Sequence, residues 1–274
     1  MINLREVNVA YPAENPSLKG NVFGTNLSFS VARGEFLGIC GGNGTGKSTL
    51  MKLLAHLLPS YQGEITIDGL DMRLPDNARK IRRLIGYLFQ NPDNQIITTT
   101  VEDEIVFGLE NYGYPVATID SKLNEALILS DLTHKRKDDP TALSDGEKQK
   151  LLFAAILAMD PDILLLDEPT SMLDLLSARR FLNLLPSLRE RGKTVLLVSH
   201  RMEELMGCDR IAFLEKRGLS FILSPTDFFR VISPEKVEIT PWIQYLIHRF
   251  HREEATDSIP LGTPEEVFDR YDRL

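Results

Sequence analysis

The stretch Glu35-Phe36-Leu37-Gly38-Ile39-Cys40-Gly41-Gly42-Asn43-Gly44-Thr45-Gly46-Lys47-Ser48-Thr49 decides the architecture. Glu35 to Cys40 is an apolar run of strand length, Gly41 to Gly46 is a glycine loop, and Lys47 to Leu58 reads as a helix stopped by Pro59. Within it, Gly41 to Ser48 has the spacing G-x-x-x-x-G-K-[ST], and it sits between a strand and a helix, the context that gives the pattern its meaning. Glycines let successive backbone N–H groups turn into one concavity at the positive end of the following helix, where a phosphate fits and side chains would obstruct it. Gly41, Gly42, Asn43, Gly44, Thr45 and Gly46 are therefore expected to cradle the phosphates of a nucleoside triphosphate. Lys47 is expected to reach the β- and γ-phosphates, Ser48 to ligate Mg²⁺ and Thr49 to touch the α-phosphate.

Further along, Ile163-Leu164-Leu165-Leu166 is a short continuous apolar run, the mark of a strand buried on both faces, and it delivers Asp167-Glu168 to its carboxyl end. Ligands bind at that edge of parallel sheets. Asp167 is expected to hold Mg²⁺ through water, and Glu168 to accept a proton from, or orient, an attacking water.

Around these two segments the chain alternates strands and helices. Ile2 to Val9 and Leu27 to Val31 alternate apolar with polar residues, which predicts an antiparallel β lobe at the start. Leu84 to Phe89 is another apolar run, and residues 91–160 read as an inserted helical subdomain with helices over Val101 to Asn111, Ser121 to Ser130 and Gly146 to Met159. Leu175 to Arg191 predicts a helix, followed by buried strands at Thr194 to Val198, Ile211 to Leu214 and Leu219 to Leu223. The expectation is an α/β fold of the P-loop NTPase type, with a mostly parallel core sheet, an antiparallel β lobe and the helical insertion, spanning residues 1–230. Residues 231–274, charged and punctuated by proline, read as a helical extension.

Composition narrows the function classes. The chain has 274 residues, 43% hydrophobic and 26% charged, which suits a folded domain with a sizeable core. Thirty-one Lys and Arg against thirty-nine Asp and Glu give a net charge of −8, with no basic cluster, so nucleic acid is not an expected partner. No apolar run approaches the roughly 20 residues that span a bilayer, so direct membrane insertion is not expected. Cys40 and Cys208 have no metal or redox spacing and are expected to be inert.

Between the two phosphate-side segments lies Leu143-Ser144-Asp145-Gly146-Glu147-Lys148-Gln149-Lys150, which resembles the LSGGQ signature of ATP-binding cassette (ABC) ATPases. Gln90 resembles that family's Q-loop glutamine, Ser171-Met172-Leu173-Asp174 its D-loop, His200 its switch histidine, and Tyr11 its adenine-stacking aromatic. The stretch Phe89 to Gln95, with Thr100 to Glu104 and Phe107 to Asn111, is similar to the branch serving energy-coupling-factor importers of vitamins, cobalt or nickel.

The resemblance implies ATP and Mg²⁺ as ligands, Glu168, His200 and Gln90 as the catalytic set, and Ser48, Gln90 and Asp167 around the metal. It further implies a second ABC ATPase subunit, the same or paralogous, whose nucleotide meets Ser144 and Gly146. It implies a transmembrane coupling subunit, with Asp93 and Glu102-Asp103-Glu104 receiving its basic coupling helices, and hence a peripheral location on the cytoplasmic side of the cell membrane. Other readings are the ATPase of a different ABC importer, a soluble ABC ATPase outside transport, and a binding-only module, the last opposed by Glu168 and His200.

Asp145 stands where the family usually has glycine. A carboxylate there would repel the partner's γ-phosphate, or it serves merely to favour the helix N-terminus. In the extension, Trp242, Ile243, Leu246, Ile247 and Phe250 form an apolar stripe for packing or pairing, and His248 and His251 lack a third metal ligand.

Overall fold

The computed structural model describes residues 1–10, 22–58, 60–216, 218–233 and 236–237. Tyr11, and the apolar stripe and histidines expected beyond residue 237, lie outside them. Among the described residues the core sheet has six strands: β3 (Phe36–Gly41), β6 (Ile85–Leu88), β7 (Ile163–Asp167), β8 (Thr194–Val198), β9 (Arg210–Glu215) and β10 (Gly218–Leu223). Their order is β10-β9-β3-β8-β7-β6, parallel throughout except for the antiparallel β9–β10 hairpin at one edge. β10 is only half-buried, unlike the fully buried β3, β7 and β8 and unlike β6 at the opposite edge. Its direction departs from the parallel strand that its apolar run suggests.

Buried strands put alternate residues on opposite faces, and here each face has its own core. Ile163 and Leu165 of β7, with Leu196 and Val198 of β8, face one side, where they meet helix α1 (Lys47–Leu54) through Leu50, Met51, Leu53 and Leu54. On that side the second sheet closes the layer: β1 (Ile2–Ala10), β2 (Val22–Val31), β4 (Gln62–Ile67) and β5 (Leu70–Asp71), antiparallel in the order β2-β1-β4-β5. Leu164, Leu166, Val195 and Leu197 face the other side and meet α6 (Leu175–Glu190) through Phe181, Leu182 and Leu185, with Phe228 and Phe229 of α8 (Pro225–Val231). Both of those phenylalanines are fully buried, and each contributes about 1.5–3 kcal/mol of apolar burial. α8 is thus fastened to the core sheet across the end of the cassette region expected at residue 230.

Among the described residues the remaining α-helices are α2 (Pro75–Leu84), α3 (Val101–Tyr112), α4 (Val116–Ser130), α5 (Asp145–Ala158) and the single turn α7 (Met202–Leu205). α3, α4 and α5 share a separate apolar cluster that includes Ile105, Leu109, Leu123, Leu127, Leu143 and Leu151. α5 also reaches the main core through Leu152, Phe153 and Ile156, so it joins the helical region to the sheet.

The structure departs from the sequence reading in several places. α1 stops at Leu54 rather than Leu58, because His56 adopts φ 57° and breaks the helical path before Pro59 is reached. α4 starts at Val116, just after Pro115, rather than at Ser121. Residues 62–84, where the sequence pattern assigns no element, hold β4, β5 and α2.

Candidate nucleotide-hydrolysis site

Gly41 ends β3 at φ 145°, and a Cβ on it would lie 2.1 Å from the Leu214 carbonyl oxygen of the neighbouring strand. No residue with a side chain fits where the loop leaves the sheet. Gly46, at φ 89°, is the N-cap of α1 and offers no side-chain cap, so the amides of the first helical turn are not covered from that side. Thr45 is buried and donates its hydroxyl to the Gly42 carbonyl at 2.8 Å, which pins the loop's shape. Lys47 folds over the loop and donates to the carbonyls of Gly41 at 2.9 Å and Gly42 at 3.1 Å. Burial pulls the Lys47 ammonium below its ordinary pKa, while Glu168 and Asp167 act in the opposite direction. Gly42, Asn43 and Gly44 form the exposed crest of the loop.

Strand order brings the rest together. Because β3, β8, β7 and β6 are consecutive and parallel, their carboxyl ends set side by side the glycine loop, His200, Asp167-Glu168 and Gln90. Asp167 is 1% exposed; Tyr87 of β6 donates to its Oδ2 at 3.3 Å, and its Oδ1 is buried with no hydrogen-bond partner. Burial raises the Asp167 carboxyl above the usual carboxylate range, and the Ser48 hydroxyl pulls it back down. Tyr87 is not among the residues that sequence reasoning singles out. Its signal is its place three residues before Gln90 on a strand that ends at the site.

Glu168 sits at φ 50°, a left-handed conformation that costs a non-glycine residue about 1 kcal/mol or more and is tolerated where the surroundings impose it. Its amide donates to the Val198 carbonyl at 3.0 Å, and its own carbonyl accepts from the Ser171 amide and hydroxyl. The carboxylate is then held from two sides. Gln90 Nε2 donates to Oε2 at 2.8 Å, and His200 Nε2 lies 2.8 Å from Oε1. The resemblance groups these three residues as one catalytic set, and the structure brings them into one cluster centred on Glu168.

The segment Ser144–Glu147 opens α5. Ser144, not Asp145, is the N-cap, and it forms a capping box with Glu147. Glu147 Oε2 accepts from the Ser144 amide at 3.0 Å and from its hydroxyl at 3.1 Å. Lys135, 2.6 Å from Glu147 Oε1, together with the Ser144 amide, holds the Glu147 carboxyl down at about 2. The capping role considered for Asp145 is therefore filled by its neighbour. Asp145 stands exposed in the first turn, 3.8 Å from Lys148 Nζ. Gly146 lies against the 171–174 turn, where an added Cβ would come 3.1 Å from the Met172 carbonyl oxygen.

The acidic groups expected to receive a docking partner are engaged internally. Asp93 pairs with Lys148 at 2.7 Å, Glu102 with Arg136 and Lys137, and Asp103 accepts from the Thr100 hydroxyl. Glu104 is buried and accepts from the amides of Ile97 and Thr98. Asp93, despite its pairing with Lys148, keeps an exposed carboxylate beside the Gln90 loop. Cys40 and Cys208 are buried, and burial pushes both thiols up to about 12, which leaves them unreactive. Among the described residues no helix is long and apolar enough to cross a membrane.

Residues 25–171 match the family described as ABC transporter. The energy-coupling factor transporter ATP-binding protein EcfA1 of Clostridium novyi strain NT is 39% identical over 223 residues, 81% of this chain and 80% of the relative. The energy-coupling factor transporter ATP-binding protein EcfA of Syntrophomonas wolfei is 38% identical over 84% of this chain and 82% of its own length. Among solved structures, a dimeric ATP-binding cassette in a post-hydrolysis state bound to ADP and Pi superposes with a TM-score of 0.75 at 28% identity, covering 82% of this chain and 99% of that one. CbiO1 from Clostridium perfringens, part of the ABC transporter complex cbiONQ, gives 0.70 at 29% identity over 83% of this chain and 90% of that one. With a match over more than half its length and relatives of this identity, the chain belongs to the ABC transporter family, the ATP-hydrolysing subunits of transporters, and within it to the energy-coupling factor transporter ATP-binding proteins.

Proposed function

We propose that the chain binds Mg-ATP on its Gly41–Thr49 loop and hydrolyses it with Glu168 as the base. It does so as one of two paired ATPase subunits, bound peripherally on the cytoplasmic side of the cell membrane to a transmembrane coupling subunit that imports a vitamin or a transition-metal ion. The observation that carries this reading is the Glu168 carboxylate, held by Gln90 and His200 at 2.8 Å each beside the partnerless Asp167 Oδ1. The names of the relatives, and the membership of the Clostridium perfringens structure in a multi-subunit complex, support the transport assignment.

The loop amides and Lys47 receive the triphosphate. Lys47 exchanges its two loop carbonyls for phosphate oxygens, and that exchange needs little motion because its ammonium already lies over the loop. Mg²⁺ fits the oxygen donors at hand. Asp167 Oδ1 lacks a partner, the Ser48 hydroxyl faces the same carboxylate, and Gln90 has a carbonyl oxygen besides the amide nitrogen that holds Glu168. One carboxylate with substrate phosphates and water is the way this cation is usually held, and when bound it neutralises charge on the β- and γ-phosphates. Glu168 takes the proton of the attacking water, while Gln90 and His200 fix the carboxylate's direction. His200 then donates to the γ-phosphate as charge builds on it. Ser144 and the Gly146 backbone face the nucleotide of the paired subunit, so closure depends on the γ-phosphate and ends when it is cut away.

The test is Glu168→Gln in the chain purified with its membrane partners. The variant should bind ATP and retain it unhydrolysed; hydrolysis at the wild-type rate would overturn the assignment. Identification of the co-purified subunits, with uptake of labelled vitamins, cobalt and nickel into vesicles, identifies the solute class.

A further inference from the structure

Behind the Glu168–His200 contact lies a second polar bridge between the same two turns. Glu204, on α7, is 4% exposed, and its carboxylate accepts from two buried hydroxyls: Thr170 Oγ1 at 2.6 Å and Ser199 Oγ at 2.7 Å. Thr170 is two residues after Glu168, and Ser199 immediately precedes His200. Ser199 Oγ accepts from the Arg201 amide at 2.9 Å, and the acceptors for its proton are Glu204 at 2.7 Å and, farther off, the Arg201 carbonyl at 3.3 Å; Arg201 Nη1 stands 3.7 Å from the same carboxylate. Buried charge is retained where hydrogen bonds satisfy it, and here both carboxylate oxygens are used to tie one turn to the other.

We infer that Glu204 is a positioning residue for hydrolysis: it joins the turn after β7 to the turn after β8 and so sets the separation at which His200 meets Glu168. The backbone alone leaves this separation loose. β7 and β8 are in register only up to Asp167 and Val198, and one further bond, from the Glu168 amide to the Val198 carbonyl, extends the pairing. The Ser199 amide still bonds to the Ile39 carbonyl of β3 at 3.2 Å, but among the described residues no backbone hydrogen bond joins 169–174 to 199–201, and Glu204 bridges these segments through Thr170 and Ser199. An apolar residue at 204 would strand two buried hydroxyls, which would turn to other acceptors and carry both segments with them. Glu204 is 4% exposed and bonds to Thr170 and Ser199; it acts through Glu168 and His200. The inference therefore rests on the reading of that pair as the hydrolytic centre.

The experiment compares Glu204→Leu, Glu204→Gln, Thr170→Val, His200→Ala and the double variant Glu204→Leu/His200→Ala. Each is made in the full chain purified with its membrane subunits, with kcat expressed per site titrated by a non-hydrolysable ATP analogue. Glu204→Leu should lower kcat about 100-fold while KM for ATP and analogue affinity stay within about twofold. Glu204→Gln, which keeps the length and one acceptor, should restore most of that loss. Adding Glu204→Leu to His200→Ala should cost almost nothing more, because the two act as a unit. A wild-type kcat per titrated site with only a lowered Tm, or losses that multiply in the double variant, would overturn the inference. Should Glu204→Leu fail to fold, the isosteric Thr170→Val decides: a reduced kcat at unchanged ATP affinity supports the role, and a wild-type kcat refutes it. Normal turnover in both His200→Ala and Glu168→Gln would instead remove the underlying catalytic reading, an outcome distinct from failure of Glu204 alone.

Discussion

Two polar clusters in this protein use the same materials to opposite ends. At the carboxyl ends of β7 and β8, Asp167, Glu168 and His200 sit in a largely enclosed setting, and one carboxylate oxygen, Asp167 Oδ1, has nothing to bond. At the start of α5, Ser144 and Glu147 satisfy each other through a capping box, and Lys135 neutralises the carboxylate. The first cluster carries unmet valence, which suits it to a ligand. The second is closed on itself and faces outward, so whatever it binds must compete with bonds it already makes. Under the proposed pairing, a chain built this way supplies the loop and carboxylate side of one nucleotide site and the Ser144 side of another.

The contrast breaks most sharply at Glu168. Glu168→Gln should cut hydrolysis by about 10³-fold or more while ATP binding, read by filter retention or fluorescence, persists. Equal loss of both would move Glu168 from chemistry to structure. Next in size is Gly41→Ala, where the new Cβ would meet the Leu214 carbonyl oxygen at 2.1 Å in a backbone conformation alanine resists. A loss of about 3 kcal/mol in denaturant unfolding is expected, against no comparable loss for Gly44→Ala, whose added Cβ would meet nothing within 4 Å.

Smaller effects test the closed cluster. Glu147 has its carboxyl lowered from an ordinary 4.5 to about 2, chiefly by Lys135, so the folded state favours the charged form. Stability from this group is then fully present above the unfolded value and is lost as pH falls through about 2. Glu147→Gln should be ~1 kcal/mol less stable than wild type at pH 7, after allowance for solvent screening, and the gap should close between pH ~4.5 and ~2 in acid unfolding curves. A gap independent of pH would mean that packing, not charge, is lost. The smallest effect belongs to Asp145→Gly. With the cap supplied by Ser144, removal of this exposed carboxylate should spare the fold and raise turnover of the assembled pair about threefold, since ~1 kcal/mol or less of repulsion toward the facing γ-phosphate is relieved. Unchanged turnover would show that Lys148 already neutralises it.

Most of the hydrolytic centre is legible in the linear sequence. Gly41 to Ser48 and Ile163 to Glu168 each carry their meaning within a few consecutive residues, because a phosphate cradle and a strand-end acid are local devices. Residues 62–84 are not legible in the same way: Gln62–Ile67 is a short strand that pairs with β1 at the start of the chain as well as with its neighbour β5, and nothing within it shows the longer-range pairing. Helix ends escape the pattern where one residue's backbone overrides a nearby proline, as His56 does for α1. The acidic run Glu102-Asp103-Glu104 looks available in one dimension, but its partners Arg136, Lys137, Thr100 and the amides of Ile97 and Thr98 are set by packing of the helical region.

The amino-acid order alone determined which chemical groups the proposed nucleotide site draws on: a glycine cradle with Lys47 and Ser48, two carboxylates at a strand end, and Gln90 and His200 each closing an apolar run. Tertiary structure decided what these groups do to one another. Gln90 and Glu168 are 78 positions apart, yet they bond at 2.8 Å because β6, β7 and β8 lie side by side in the sheet. Strand order is a property of the whole core, fixed by which apolar faces bury against which. The grip of Gln90 and His200 on Glu168, the isolation of Asp167 Oδ1 and the bridge through Glu204 therefore exist only once the chain has folded.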